Sequence, residues 1–248
     1  MVSIQRFFPD VTSTVFGGVF IALGVYLLTA TDHLTPGLGA VFIGIFTMMV
    51  MTGKTVDEEV SMAGMKGDAD TLDELLEELG IEGDMIQIPS GDLLSAPRTF
   101  VPVEDFQGLP DLQDEMVIVT SGGGRAGISL IPPGLHLMEL AESSLETPTE
   151  GLEGAREVMG VLTHGLGLAK SFSLREDEKI TVRITHGPYG DMCRELREKR
   201  ENICTRTGCP LCSAYLTAGT QYLKRPLRLV DFKIDGEHVI FEMEEIVR

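Results

Sequence analysis

All four cysteines of the 248-residue chain, Cys193, Cys204, Cys209 and Cys212, fall within twenty residues in the pattern C-x10-C-x4-C-x2-C. Clustering of this kind implies that the thiols act together. Where thiols stay reduced, disulfides do not persist, so joint action points to thiolate ligation of a metal. Four thiolates suit tetrahedral zinc. The last three cysteines share the C-x4-C-x2-C spacing of plant-type two-iron clusters, but the remaining one precedes the trio instead of following at a distance, which favours zinc over iron-sulfur. Two other readings stay open. Cys209-Pro-Leu-Cys212 stands before a helix whose positive end would lower a thiol pKa, as in thioredoxin-like redox proteins, although the preceding stretch Arg200 to Arg206 is no strand. Alternatively, some of the four are buried small apolar side chains. His186, seven residues before Cys193, is a candidate to replace one cysteine as ligand.

Charge around the cysteines differs from that of the chain. The whole sequence has 38 Asp and Glu against 20 Lys and Arg, a net charge of −18, which argues against general binding to nucleic acid. From Arg183 to Arg228, however, nine basic residues face four acidic ones, whereas Asp57 to Asp84 holds eleven acidic residues and one lysine. Arg194, Arg197, Lys199, Arg200 and Arg206 therefore form a candidate patch for an acidic ligand or protein partner. The plainer use of such residues is intrahelical pairing, for which Arg194 with Glu198, Glu195 with Lys199 and Arg197 with Glu201 have the spacing.

Common enzymatic signatures are missing. Gly122, Gly124 and Gly127 match G-x-G-x-x-G, but they lead into Ile128-Ser-Leu-Ile131, a strand pattern ended by Pro132-Pro133, so no helix starts where a pyrophosphate would need one. No P-loop, HExxH or G-x-S-x-G sequence is present. No catalytic residue is assigned.

The elements that must position the cysteines read as α+β. Thr71 to Leu79 predicts a short helix with Thr71 and Glu74 as a capping box. Extended chain follows at Met85 to Ile88 and Thr99 to Val103, then a hairpin of Met116 to Thr120 with Ala126 to Ile131, and a helix from Leu135 to Leu145. Beyond Pro148 the pattern predicts a helix over about 152–170, a strand over 179–185, a helix over 189–202, a cysteine-bearing turn and a helix over 213–223. Two closing strands, 227–234 and 238–244, are joined at Asp235-Gly236, a good hairpin turn. The sheet is expected to be mostly antiparallel with flanking helices. Residues 71–147 and 148–248 are two possible halves of one domain over 71–248, the cysteine cluster at 193–212 lying in the second.

The N-terminal region carries a different signal. Val11 to Thr31 has no charged side chain, and His33 to Gly53 has no Asp, Glu, Lys or Arg. About 20 such residues are needed to cross a hydrocarbon core of about 30 Å. The expectation is a transmembrane helical hairpin over 1–53, with spans of about 11–31 and 34–53, followed by an acidic juxtamembrane linker over 54–70. Arg6, Lys54 and Lys66 flank the spans while the connecting segment has no basic residue, which places both termini in the cytoplasm and the protein in the cell membrane. Small residues every four positions, Thr14, Gly18 and Ala22 and then Ala40 and Gly44, suit close helix pairing within the hairpin or in a homo-oligomer.

The order of Leu75-Leu-Glu-Glu-Leu-Gly80 before Ile86-Gln-Ile-Pro89, then Gly127-Ile-Ser-Leu-Ile-Pro-Pro-Gly134, then Gly208-Cys-Pro-Leu-Cys-Ser213 before a closing hairpin, resembles an uncharacterised family of archaeal two-span membrane proteins best represented in haloarchaea. That resemblance covers nearly the whole chain and implies no catalytic activity. The reading as a whole is a membrane-anchored binding, regulatory or scaffolding protein whose cysteine cluster holds a structural metal. The alternative is a membrane-tethered thiol enzyme using Cys209 and Cys212.

Overall fold

A computed structural model of the protein describes residues 11–30, 34–51, 58–91, 94–114, 116–120, 125–200 and 202–246. The chain divides into two units, Met1–Asp57 and Glu58–Arg248.

The first unit contains helices α1 (Val11–Ala30) and α2 (Leu34–Met51). They cross on glycine. A Cβ on Gly24 would lie 2.7 Å from the Gly37 carbonyl oxygen, and one on Gly44 would lie 2.7 Å from the Gly17 carbonyl oxygen, so only hydrogen fits at these positions. The seam is thus built on Gly17, Gly24, Gly37 and Gly44, all buried, while Gly18 is half-buried and Ala22 exposed. Among the described residues no helix is long and apolar enough to cross a membrane. This overturns the expected transmembrane hairpin, and with it the placement in a cell membrane with cytoplasmic termini. Absence of charge is not continuous apolarity. Thr12, Ser13 and Thr14 open α1 and Thr29 closes it, leaving Val15 to Leu28, about 21 Å of helix at 1.5 Å per residue against a core of about 30 Å. The 18 residues of α2 reach about 27 Å and include Thr35, Pro36 and Thr47.

The second unit is α+β. Its helices are α3 (Glu58–Glu78), α4 (Leu135–Glu142), α5 (Gly151–Gly160), α6 (Gly190–Lys199), α7 (Ile203–Arg206) and α8 (Pro210–Leu223). Its strands are β1 (Ile86–Ile88), β2 (Arg98–Pro102), β3 (Ile118–Val119), β4 (Gly127–Leu130), β5 (Ala169–Glu176), β6 (Ile180–His186), β7 (Leu227–Asp235) and β8 (His238–Glu245). All eight strands form one antiparallel sheet in the order β3-β4-β2-β1-β7-β8-β6-β5. The β1 to β7 pairing, Ile86 opposite Arg228, joins strands from the two expected halves. Gly127 starts a strand and no helix, as its sequence context requires; Gly122 and Gly124 lie outside the described residues.

The largest departures from the expected bounds are in α3, α5 and β5. Helix α3 starts at Glu58, so residues 58–70, expected as linker, are helical, and Thr71 is an interior residue whose hydroxyl donates to the Gly67 carbonyl at 2.8 Å. Burial of Ala69 and packing of Met62 and Met65 on the core stabilise this extension. The helix closes at Gly80, φ +65°, where the Ile81 amide reaches back to the Leu76 carbonyl at 2.9 Å. Helix α5 ends in a π-turn over Val161–Gly165, and Ala169–Glu176, whose start is expected as helix, is an edge strand.

The main core lies on the sheet face covered by the helices. Met85, Leu227, Leu229, Val239, Phe241 and Met243 of the β1, β7 and β8 region meet α8, which is buried at nearly every position, including Tyr215 and Leu216. Ile86, Ile88 and Phe100 belong to a second, smaller cluster with Leu94, Leu112 and Val119.

Candidate functional site

Three short elements bring the four cysteines together. Cys193 lies on α6, Cys204 on α7, Cys209 caps α8 and Cys212 sits in its first turn. The turn between α7 and α8 depends on Gly208 at φ +71°, where the Gly208 amide donates to the Ile203 carbonyl at 2.8 Å. Pro210 then starts α8, where its missing N–H leaves nothing unsatisfied, and the Ser213 amide closes the first turn on the Cys209 carbonyl at 2.9 Å. The Met85 amide donates to the Thr205 carbonyl at 2.8 Å, fastening α7 to the sheet beside β1.

A second motif supports α8 from behind. A Cβ on Gly134, the last residue of Ile131-Pro-Pro-Gly134, would collide with the Ala214 amide and the Pro210 carbonyl. The Pro-Pro-Gly turn and the Cys-Pro-Leu-Cys turn are therefore packing partners, with backbones in direct contact.

All four thiols are free and buried. The electrostatics centre on Cys193: the thiols of Cys204, Cys209 and Cys212, and His186 at the end of β6, favour its charged form as donors. Those donors hold the Cys193 thiol far below the usual range, against the opposing effect of burial. The donors shift in the opposite direction. Bonding to Cys193, followed by burial, pushes Cys204 and Cys212 well up and Cys209 to about 12. A cavity of about 20 Å³ adjoins Cys193, Cys209, Cys212, His186 and Tyr215, with room for one water or one ion.

Among the described residues no group of three or more His, Cys, Asp or Glu side chains is placed to hold a metal ion. This runs against the expected metal-binding cluster at Cys193, Cys204, Cys209 and Cys212.

Two residues of the basic patch, Arg200 and Arg206, turn toward α3, while Arg194 and Lys199 stay exposed. Arg200 meets four carboxylates of α3: Glu77 at 3.4 Å, Asp70 and Glu74 at 3.8 Å and Asp73 at 3.9 Å. Arg206, only 9 % exposed, reaches Asp73 at 3.7 Å. Arg194 pairs with Asp191, and Glu195 pairs with Lys66 of α3 instead of Lys199. Arg197 lies close enough to Cys204 to favour its charged form, though hydrogen bonding and burial outweigh that effect. Arg197 and Lys199 make no ion pair among the described residues. The acidic partners on α3 are absent from the sequence-based site, although their signal is there: Asp70, Asp73, Glu74 and Glu77 recur at three- and four-residue steps on one helix face.

Residues 11–195 match a family described as Domain of unknown function (DUF7982). No curated protein and no solved structure matches the chain.

Proposed function

We propose, for a chain that belongs to this family of unknown function, a binding or regulatory module organised around the Cys193 centre. The gathering of four free, buried thiols from α6, α7 and α8 in one core carries the reading. No described thiol of the tetrad has the exposure that exchange with a protein substrate needs, so a role inside the fold is favoured over a thiol enzyme using Cys209 and Cys212. Deprotonated, the same four sulfurs are the donor set of a thiophilic cation. Zinc is the cofactor we propose for them. Binding would fix α6, α7 and the start of α8 to one another. The acid surplus supports a salt-adapted, archaeal source, as the resemblance implies.

Metal analysis of the full chain purified under reducing conditions tests the cofactor. About one zinc per chain, lost in Cys193→Ala and Cys209→Ala, is the expected result; a wild-type protein free of stoichiometric zinc or iron after incubation with either ion would reject it.

A further inference from the structure

A cleft of about 580 Å³ opens on the smaller core cluster, apart from the cysteines. Its size is that of small-molecule sites, which run to roughly 300–1,000 Å³. Ile88, Leu94 and Leu112 form buried wall, with Phe106, Leu109 and Ile246 packed on them half-exposed. The covering segment is the chain between β2 and β3, residues 103–117, whose described part has neither helix nor strand. Structureless connections of this length, more than about 12 residues, are uncommon and are often binding loops. This one is held in place: Arg98 donates to the Asp114 carbonyl, the Ser95 amide donates to the Asp114 carboxylate at 2.8 Å, and Arg228 lies 5.7 Å over the Phe106 ring.

The polar groups at the mouth define the ligand. Arg125 has no carboxylate within ion-pair reach among the described residues, in a chain with far more acids than bases. Gly108, φ +141°, lies beside it, a Cβ there being at an ordinary contact distance of 3.5 Å from the Arg125 Nε. Asp111 lines the same cleft without pairing to Arg125 and repels a second negative charge. We infer that the cleft binds a small apolar acid, its aliphatic or aromatic body against Ile88, Leu94 and Leu109 and its single anionic head on Arg125.

The probe is 8-anilinonaphthalene-1-sulfonate, a monoanion with an aromatic body, titrated into the full chain and followed by fluorescence, with decanoate and decanedioate as competitors. One saturable site is expected, displaced by decanoate and not by decanedioate. Arg125→Gln should weaken it about tenfold through loss of a charge-assisted hydrogen bond, and Leu109→Trp should abolish it by filling the cleft. Arg125→Gln changes an exposed side chain, so it remains informative if Leu109→Trp fails to fold. Absence of saturable binding, or binding equal in wild type and Arg125→Gln, would overturn the assignment.

Discussion

Asp73 keeps a carboxylate almost wholly out of water, 4 % exposed, with Arg206 at 3.7 Å and Arg200 at 3.9 Å and no hydrogen bond to its Oδ1. Burial raises its pKa above 3.8, more than the two arginines lower it, and Glu77 and Asp70 add to the rise. The folded state therefore holds this proton more tightly than the unfolded chain does. Stability contributed by Asp73 grows as pH falls through its folded value and is complete below about 3.8, whereas at neutral pH the ionised form opposes folding. Urea unfolding at pH 7 and pH 4 should show wild type gaining stability relative to Asp73→Asn on acidification. Parallel pH dependences in the two proteins would remove Asp73 as the source.

At the scale of elements, α3 is latched to the cysteine-bearing arm through one guanidinium. Arg200 follows directly on α6 and serves four carboxylates spread over the last turns of α3, an arrangement in which the arginine is scarce and the acids are in excess. Arg200→Gln should speed amide exchange across 58–78 by about tenfold and leave α8 as protected as before, because α8 is held by apolar packing and by Gly134. Uniform faster exchange in α3 and α8 would mean that the arginine supports the whole fold and no latch exists. This contact also shows what a sequence reveals. The acidic and basic runs are each legible, but their pairing spans more than a hundred residues and no periodicity reports it. Hairpins with short turns are legible because their signals are local: Gly236 adopts φ +58° where Asp235-Gly236 predicts a turn. The cysteine cluster is legible for the same reason, lying within two helical arms and a turn. Strand β5 is hidden because Leu162 and Leu166 prolong the helical spacing of α5, and the end of that helix is set by a π-turn and by Gly167 at φ +66°. The uncharged N-terminal runs mislead because a weighing of charge alone passes over the Thr and Ser within them.

For the whole molecule the governing quantity is the net charge of −18. Ion pairs join β7 to β8 through Arg228 and Glu244 at 3.2 Å, and Arg225 ties Glu245 at 2.7 Å and also Glu176, so much of the basic complement is already committed. Added salt has two opposed effects. It weakens these exposed pairs, each worth about 0–1 kcal/mol, and it screens repulsion among the unpaired acids, shortening the Debye length from about 10 Å at 0.1 M to about 3 Å at 1 M. Acids outnumber bases nearly two to one, so relief of repulsion outweighs the loss of pairing. The melting temperature is expected to rise by several degrees between 0.1 M and 1 M KCl, with most of the gain at the low end where the Debye length changes fastest. Circular dichroism melts of the full chain at four KCl concentrations measure this. A fall with salt would show instead that these ion pairs and the α3 latch carry more stability than the excess charge removes.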